Sequence, residues 1–142
     1  PVLIDPQDNI VDRYILSLKV LEKLIMEGVE HYVLANRHGD RYFIPSQWYR
    51  FHNIALGDQI KCYSWYSITK RTYRIEPTHP LYNEGDIVEL KSTVKDGELW
   101  AIDGFGQEIR VQGGFLDQST TKIIRCKVLR IRKGSPILKM VV

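Results

Sequence analysis

A chain of 142 residues with 20 Lys and Arg against 17 Asp and Glu has a net charge of only +3. That excludes a histone-like protein held to its partner by overall charge. A hydrophobic content of 44% with 26% charged residues excludes a disordered polyelectrolyte and fits a globular protein. No apolar run approaches the ~20 residues of a membrane-spanning helix, and no secretory leader pattern is visible. The expectation is a cytoplasmic protein with no membrane partner. The chain opens on Pro1-Val2 without Met and stops on Met140-Val141-Val142. It reads as a piece of a longer protein, whose other domains are candidate partners.

In chain order, residues 1–13 (PVLIDPQDNIVDR) carry two prolines and several acids and read as an N-terminal arm or linker. Residues 14–26 give two signals. Leu18, Leu21, Leu24 and Ile25 have helical spacing, whereas Tyr14, Leu16, Leu18 and Val20 alternate as on a strand. The repeat described below needs an opening strand here, which favours the strand. Gly28 ends that element. His31–Asn36 is a strand, Arg37–Asp40 turns around Gly39, and Arg41–Pro45 returns. Ser46 can cap a short helical turn, whose Trp48, Tyr49 and Phe51 can plug one end of a barrel. Gly57-Asp58 leads into the alternating strand Gln59–Ile68, and Tyr73–Ile75 closes the first module after a basic turn.

Glu76-Pro77-Thr78-His79-Pro80 is the best boundary, because two nearby prolines suit a short, stiff linker. We take residues 14–76 as the first module, 77–81 as the linker and 82–142 as the second module. Ile87–Val94 is then a strand, Lys95-Asp96-Gly97 a hairpin turn, and Glu98–Asp103 pairs with Gln107–Gln112. Residues 113–121 form a polar loop before the strand Lys122–Arg132. Lys133-Gly134-Ser135 turns the chain, and Pro136–Val141 closes the module. In Lys122–Arg132 the apolar phase passes from Ile124, Cys126 and Val128 to Leu129 and Ile131. A β-bulge near Val128-Leu129 accounts for this slip and keeps Arg125, Lys127, Arg130 and Arg132 on one outer face.

The two halves repeat one order of elements. Arg37-His38-Gly39-Asp40, Tyr42-Phe43-Ile44 and Ile60-Lys61-Cys62 correspond to Gly104-Phe105-Gly106-Gln107, Ile109-Arg110-Val111 and Ile124-Arg125-Cys126. Cys62 and Cys126 fall at matching apolar positions, which reads as two buried, reduced thiols in separate cores. No CxxC and no Cys/His cluster indicates a metal. His31, His38, His52 and His79 lack ligand spacing, and His38 reads as an exposed turn residue.

The pattern resembles the S1-like branch of the OB-fold. The resemblance rests on Gly39, Tyr42-Phe43-Ile44-Pro45-Ser46 and Gly57-Asp58-Gln59-Ile60-Lys61-Cys62 in the first module. In the second it rests on Gly85-Asp86-Ile87-Val88 and the ending KVLRIRKGSPILKM. It covers roughly residues 14–141 and implies an all-β protein of two tandem small antiparallel barrels. It also implies an oligonucleotide-binding face on the second and third strands, carried by Tyr32, Leu34, Arg41 and Phe43. Pro45 stands where RNA-binding members often have His, and Arg110 and Gln112 stand at the places of Phe43 and Pro45 in the second copy.

Single-strand binding needs cations along the phosphates and aromatic faces for the bases. The candidate cations are Lys70, Arg71, Arg74, Arg110, Arg125, Lys127, Arg130, Arg132 and Lys133. The candidate platforms are Tyr32, Tyr42, Phe43, Trp65, Tyr66, Trp100 and Phe105, although Trp48, Trp65 and Trp100 read first as core. From Arg110 onward the chain has eight basic residues and one acid, Asp117, an asymmetry that can steer an anionic partner. No nucleophile elbow, phosphate-binding loop or zinc-protease motif is present, and Asp103 with Glu108 reads as turn chemistry. The expectation is therefore a non-catalytic, cofactor-free module that binds single-stranded RNA or DNA, RNA favoured. The binding residues would be Tyr32, Arg41, Phe43, Lys70, Arg71, Arg110, Arg125, Lys127, Arg130 and Arg132. The alternative is a protein-interaction or scaffolding module using the same barrels.

Overall fold

The computed structural model describes residues 13–113 and 122–141. The expected arm (apart from Arg13) and the loop 113–121 with Asp117 (apart from Gly113) lie outside the described residues. The protein is all-β, with one short 3₁₀ turn among the described residues, at Ser46–Tyr49. Contacts divide it into two compact units, Pro1–Thr78 and His79–Val142.

The first unit contains β1 (Tyr14–Met26), β2 (Val29–Ala35), β3 (Arg41–Pro45), β4 (Gln59–Ser67) and β5 (Thr72–Pro77). They form a five-stranded antiparallel sheet in the order β3-β2-β1-β4-β5. The alternation of residues 14–20 prevails over the helical spacing because β1 pairs on both sides, Leu18 with Ile60 and Val20 with Leu34. The helical phase reflects a bulge at Leu21, where the register with β2 slips between Val20 and Glu22. β1 runs on into β2 through Glu27-Gly28, both at positive φ (51° and 78°), the signature of a two-residue type I′ hairpin. Leu18, Val20, Tyr32, Leu34, Ile44, Tyr49 and Cys62 form the core, with Trp48 packed against it.

Ser46 does not cap the 3₁₀ turn. Pro45 holds the cap position without a side-chain bond, and the Ser46 hydroxyl instead donates to Glu30 Oε1 at 2.8 Å. Tyr49 enters the core as the plug residue, whereas Phe51 remains exposed.

The second unit contains β6 (Ile87–Lys95), β7 (Glu98–Ile102), β8 (Glu108–Gln112), β9 (Lys122–Arg132) and β10 (Ser135–Met140). It is a closed barrel, β10-β8-β7-β6-β9. Closure is by a parallel pair, Leu138 with Val111 and Lys139 with Gln112. Two points therefore differ from the expected pair of antiparallel barrels. The second unit has one parallel contact, and the first unit's sheet is not closed by a backbone ladder.

Numbered from the first strand of each unit, both sheets share the order 3-2-1-4-5. The slip read in Lys122–Arg132 is present. Arg130 pairs with Ile137 and Val128 with Leu138, leaving Leu129 as the extra residue. Val128 is further tied on its other side, donating to Asp86 O and accepting from Gly85 N.

Candidate nucleic-acid interface

Strand alternation and register decide which side chains share a face. In the first unit, Val20, Leu34 and Tyr42 lie across three strands on the core side, as do Tyr32 and Ile44. Tyr32 is 7% exposed, with the Lys23 ammonium 5.3 Å from its ring centroid. Tyr32 and Leu34 are thus core residues and offer no open stacking face, contrary to the expectation. Arg41 and Phe43 have the opposite parity and face outward, and Phe43 is 45% exposed.

The same outward row brings in residues that the sequence reading did not single out. Arg41 lies opposite Ala35, Ala35 opposite Lys19, and Lys19 opposite Gln59. Two residues along β1, Ser17 lies opposite Lys61, and its hydroxyl donates to Gln59 Oε1 at 3.0 Å. Lys19, Arg41 and Lys61 are all exposed, and none has an ion-pair partner among the described residues. Glu22 lies in the row of Val33 and Phe43, and Asp40 and Asp58 flank the row of Arg41 and Gln59. The face is a diagonal of three cations with one aromatic ring beside it.

Lys70 and Arg71 sit in the β4–β5 turn, exposed, with Arg71 at φ 54°. Tyr42 has its pKa raised by burial and then by Asp40 and Tyr73. Tyr73 also packs edge-on against Tyr66, with centroids 5.1 Å apart.

The remaining aromatic candidates are occupied. Trp65 is buried under the Arg13 guanidinium, 4.3 Å from the ring. Trp100 is half-buried, with the Lys95 ammonium 5.2 Å from its ring. Phe105 packs beside His79 at 5.5 Å.

In the second unit the expected cations do not form one array. Arg110 pairs with Glu98 at 3.3 Å and Arg125 with Glu89 at 3.6 Å, and Lys95 pairs with Glu108. Arg130 is half-buried and its Nε is sealed from solvent. Lys127 and Arg132 are exposed. The bulge at Leu129 keeps the charged phase outward, as read from the sequence, but the four residues differ in what they can offer a phosphate.

The two cysteines are buried and free, one in each unit. Burial, then Glu76, pushes the Cys62 thiol up to about 12, and burial raises Cys126. Neither is a thiolate at neutral pH, so neither is poised as a nucleophile. Burial also lowers the pKa of His79, partly offset by Asp103, and His79 Nδ1 accepts from Leu81 N at 3.0 Å. This local packing organises the entry to the second barrel. Among the described residues no group of three or more His, Cys, Asp or Glu could hold a metal ion, and no helix is long and apolar enough to cross a membrane. No protein-family model matches the chain, and no curated protein matches it.

Proposed function

We propose that the protein is a non-catalytic nucleic-acid-binding module, single-stranded RNA favoured over DNA, whose interface is the outer face of the first unit. The observation that carries this reading is the diagonal Lys61–Lys19–Arg41 beside exposed Phe43. Cations without acidic partners can release counterions to phosphates, and an open ring can stack a base. The Lys70-Arg71 turn adds two further exposed cations in the same unit. The shared strand order 3-2-1-4-5, closed in the second unit by a parallel pair, supports the OB reading of both units. In this reading the second unit is a scaffold and auxiliary contact, because two of its expected binding cations are already paired.

The test is fluorescence anisotropy with a labelled oligouridylate at several salt concentrations. Lys19→Ala, Arg41→Ala and Lys61→Ala should each flatten the log–log salt slope by about 0.7. Phe43→Ala should weaken binding by about 1–3 kcal/mol with the slope unchanged, since stacking releases no counterions. No binding by the unaltered protein at low salt would overturn the proposal.

A further inference from the structure

The outer side of β6, β9 and β10 presents a second surface of different chemistry. Its exposed apolar groups are Ile87 at 53%, Ile123 at 69% and Leu129 at 40% exposure. Scattered exposed aliphatics are ordinary, but these belong to two adjacent strands and interleave with cations. Ile87 lies opposite Lys127, and Ile123 opposite Lys91.

One pairing on this face is unfavourable in isolation. Lys127 lies directly opposite Lys139 across β9 and β10. Like charges in directly opposed positions destabilise a sheet. Neither lysine, nor Lys91, has an ion-pair partner among the described residues. The acid in register here, Glu89, is already engaged by Arg125 at 3.6 Å. A carboxylate set between Lys127 and Lys139 would turn the repulsion into two charge-assisted bonds. Aliphatic groups beside it would cover Ile87 and Ile123.

We propose that this face docks a protein segment in which carboxylates alternate with branched aliphatic side chains. A nucleic acid suits it poorly. Its phosphates could meet the lysines, but the outward positions of β6, β9 and β10 carry no aromatic ring on which bases could stack. The apolar groups would then stay uncovered. This proposal concerns the second unit and is independent of the nucleic-acid reading of the first.

The experiment uses a labelled synthetic peptide in which Glu-Leu pairs are spaced by Ser and Gly, with binding followed by anisotropy at low salt. The unaltered chain should bind it. Lys127→Glu with Lys139→Glu should weaken binding roughly tenfold or more. Ile87→Ser with Ile123→Ser should weaken it comparably while leaving oligouridylate binding unchanged. All four positions are exposed, and the thermal midpoint of each variant checks that the barrel persists. Four results would overturn the proposal. The unaltered chain could fail to bind the peptide. An all-Glu peptide lacking Leu could bind equally well. Oligouridylate could displace the peptide from this face. The chain could sediment as a dimer that Ile123→Ser makes monomeric, which would make a second copy the occupant.

Discussion

The two units carry the same strand order, yet they end it differently. In the second, β8 and β10 complete the barrel through a parallel ladder. In the first, β3 and β5 are not joined by a ladder. Both end in proline, Pro45 and Pro77, which removes a backbone donor from each edge. Side chains act at the opening instead. Tyr49, from the turn after β3, hydrogen-bonds Glu76 on β5. One order of strands can therefore be finished by backbone or by side chains.

Their surfaces differ in a parallel way. The second unit pairs Arg110 and Arg125 with acids on neighbouring strands, and the first leaves Lys19, Arg41 and Lys61 open. Exposed ion pairs contribute only about 0–1 kcal/mol to stability, so pairing matters more for what a surface can bind.

The sharpest way to break this comparison is to remove the plug. Tyr49→Ala should destabilise the first unit by about 3–5 kcal/mol, lowering amide-exchange protection through β1–β5. Equal loss through β6–β10 would show that the effect is not specific to that opening. Leu138→Ala, on the strand that closes the second unit, should cost about 2–5 kcal/mol, with the loss of protection centred on β8, β9 and β10. Tyr49→Phe is gentler. It keeps the ring but deprives buried Glu76 of a donor, at about 1–3 kcal/mol, read from denaturant midpoints.

Alkali should sharpen the same contrast. The Cys62 thiol rises from 9.0 to about 12 in the fold, through burial and then Glu76. Its stabilising contribution is complete below pH 9.0 and is lost as pH rises toward 12. Burial raises Tyr49 as well, so it acts in the same direction. Cys62→Ala should therefore flatten, but not abolish, the alkaline fall in the first unit's denaturation midpoint. An unchanged pH dependence would remove Cys62 from the account. The smallest expected effect is at the edges, where outward amides of β3 and β5 should exchange faster than those of β8 and β10. Equal protection would mean that the first unit is closed in solution.

Much of this architecture was legible in the residues. Positive φ at Asp96-Gly97 and Lys133-Gly134 is what those turn dipeptides require, and the phase change at Val128-Leu129 announced a real bulge. The fate of Tyr32 was not legible. Tyr32, Val33 and Leu34 are all buried, so the strand carries no alternation from which to choose the core side. The roles of Arg110 and Arg125 depended on Glu98 and Glu89, which only cross-strand register brings near. Lys19 and Lys61 escaped notice for the same reason, since β1 joins β4 to β2 and unites distant positions on one face.

The most direct test of the central claim is amide chemical-shift mapping of the isotopically labelled chain during titration with oligouridylate. Saturable shifts should concentrate at Lys19, Ala35, Arg41, Phe43 and Lys61, with weaker changes around Arg110 and Arg125. Shifts centred on Arg110, Arg125 and Lys127, with the first unit's outer face silent, would contradict it.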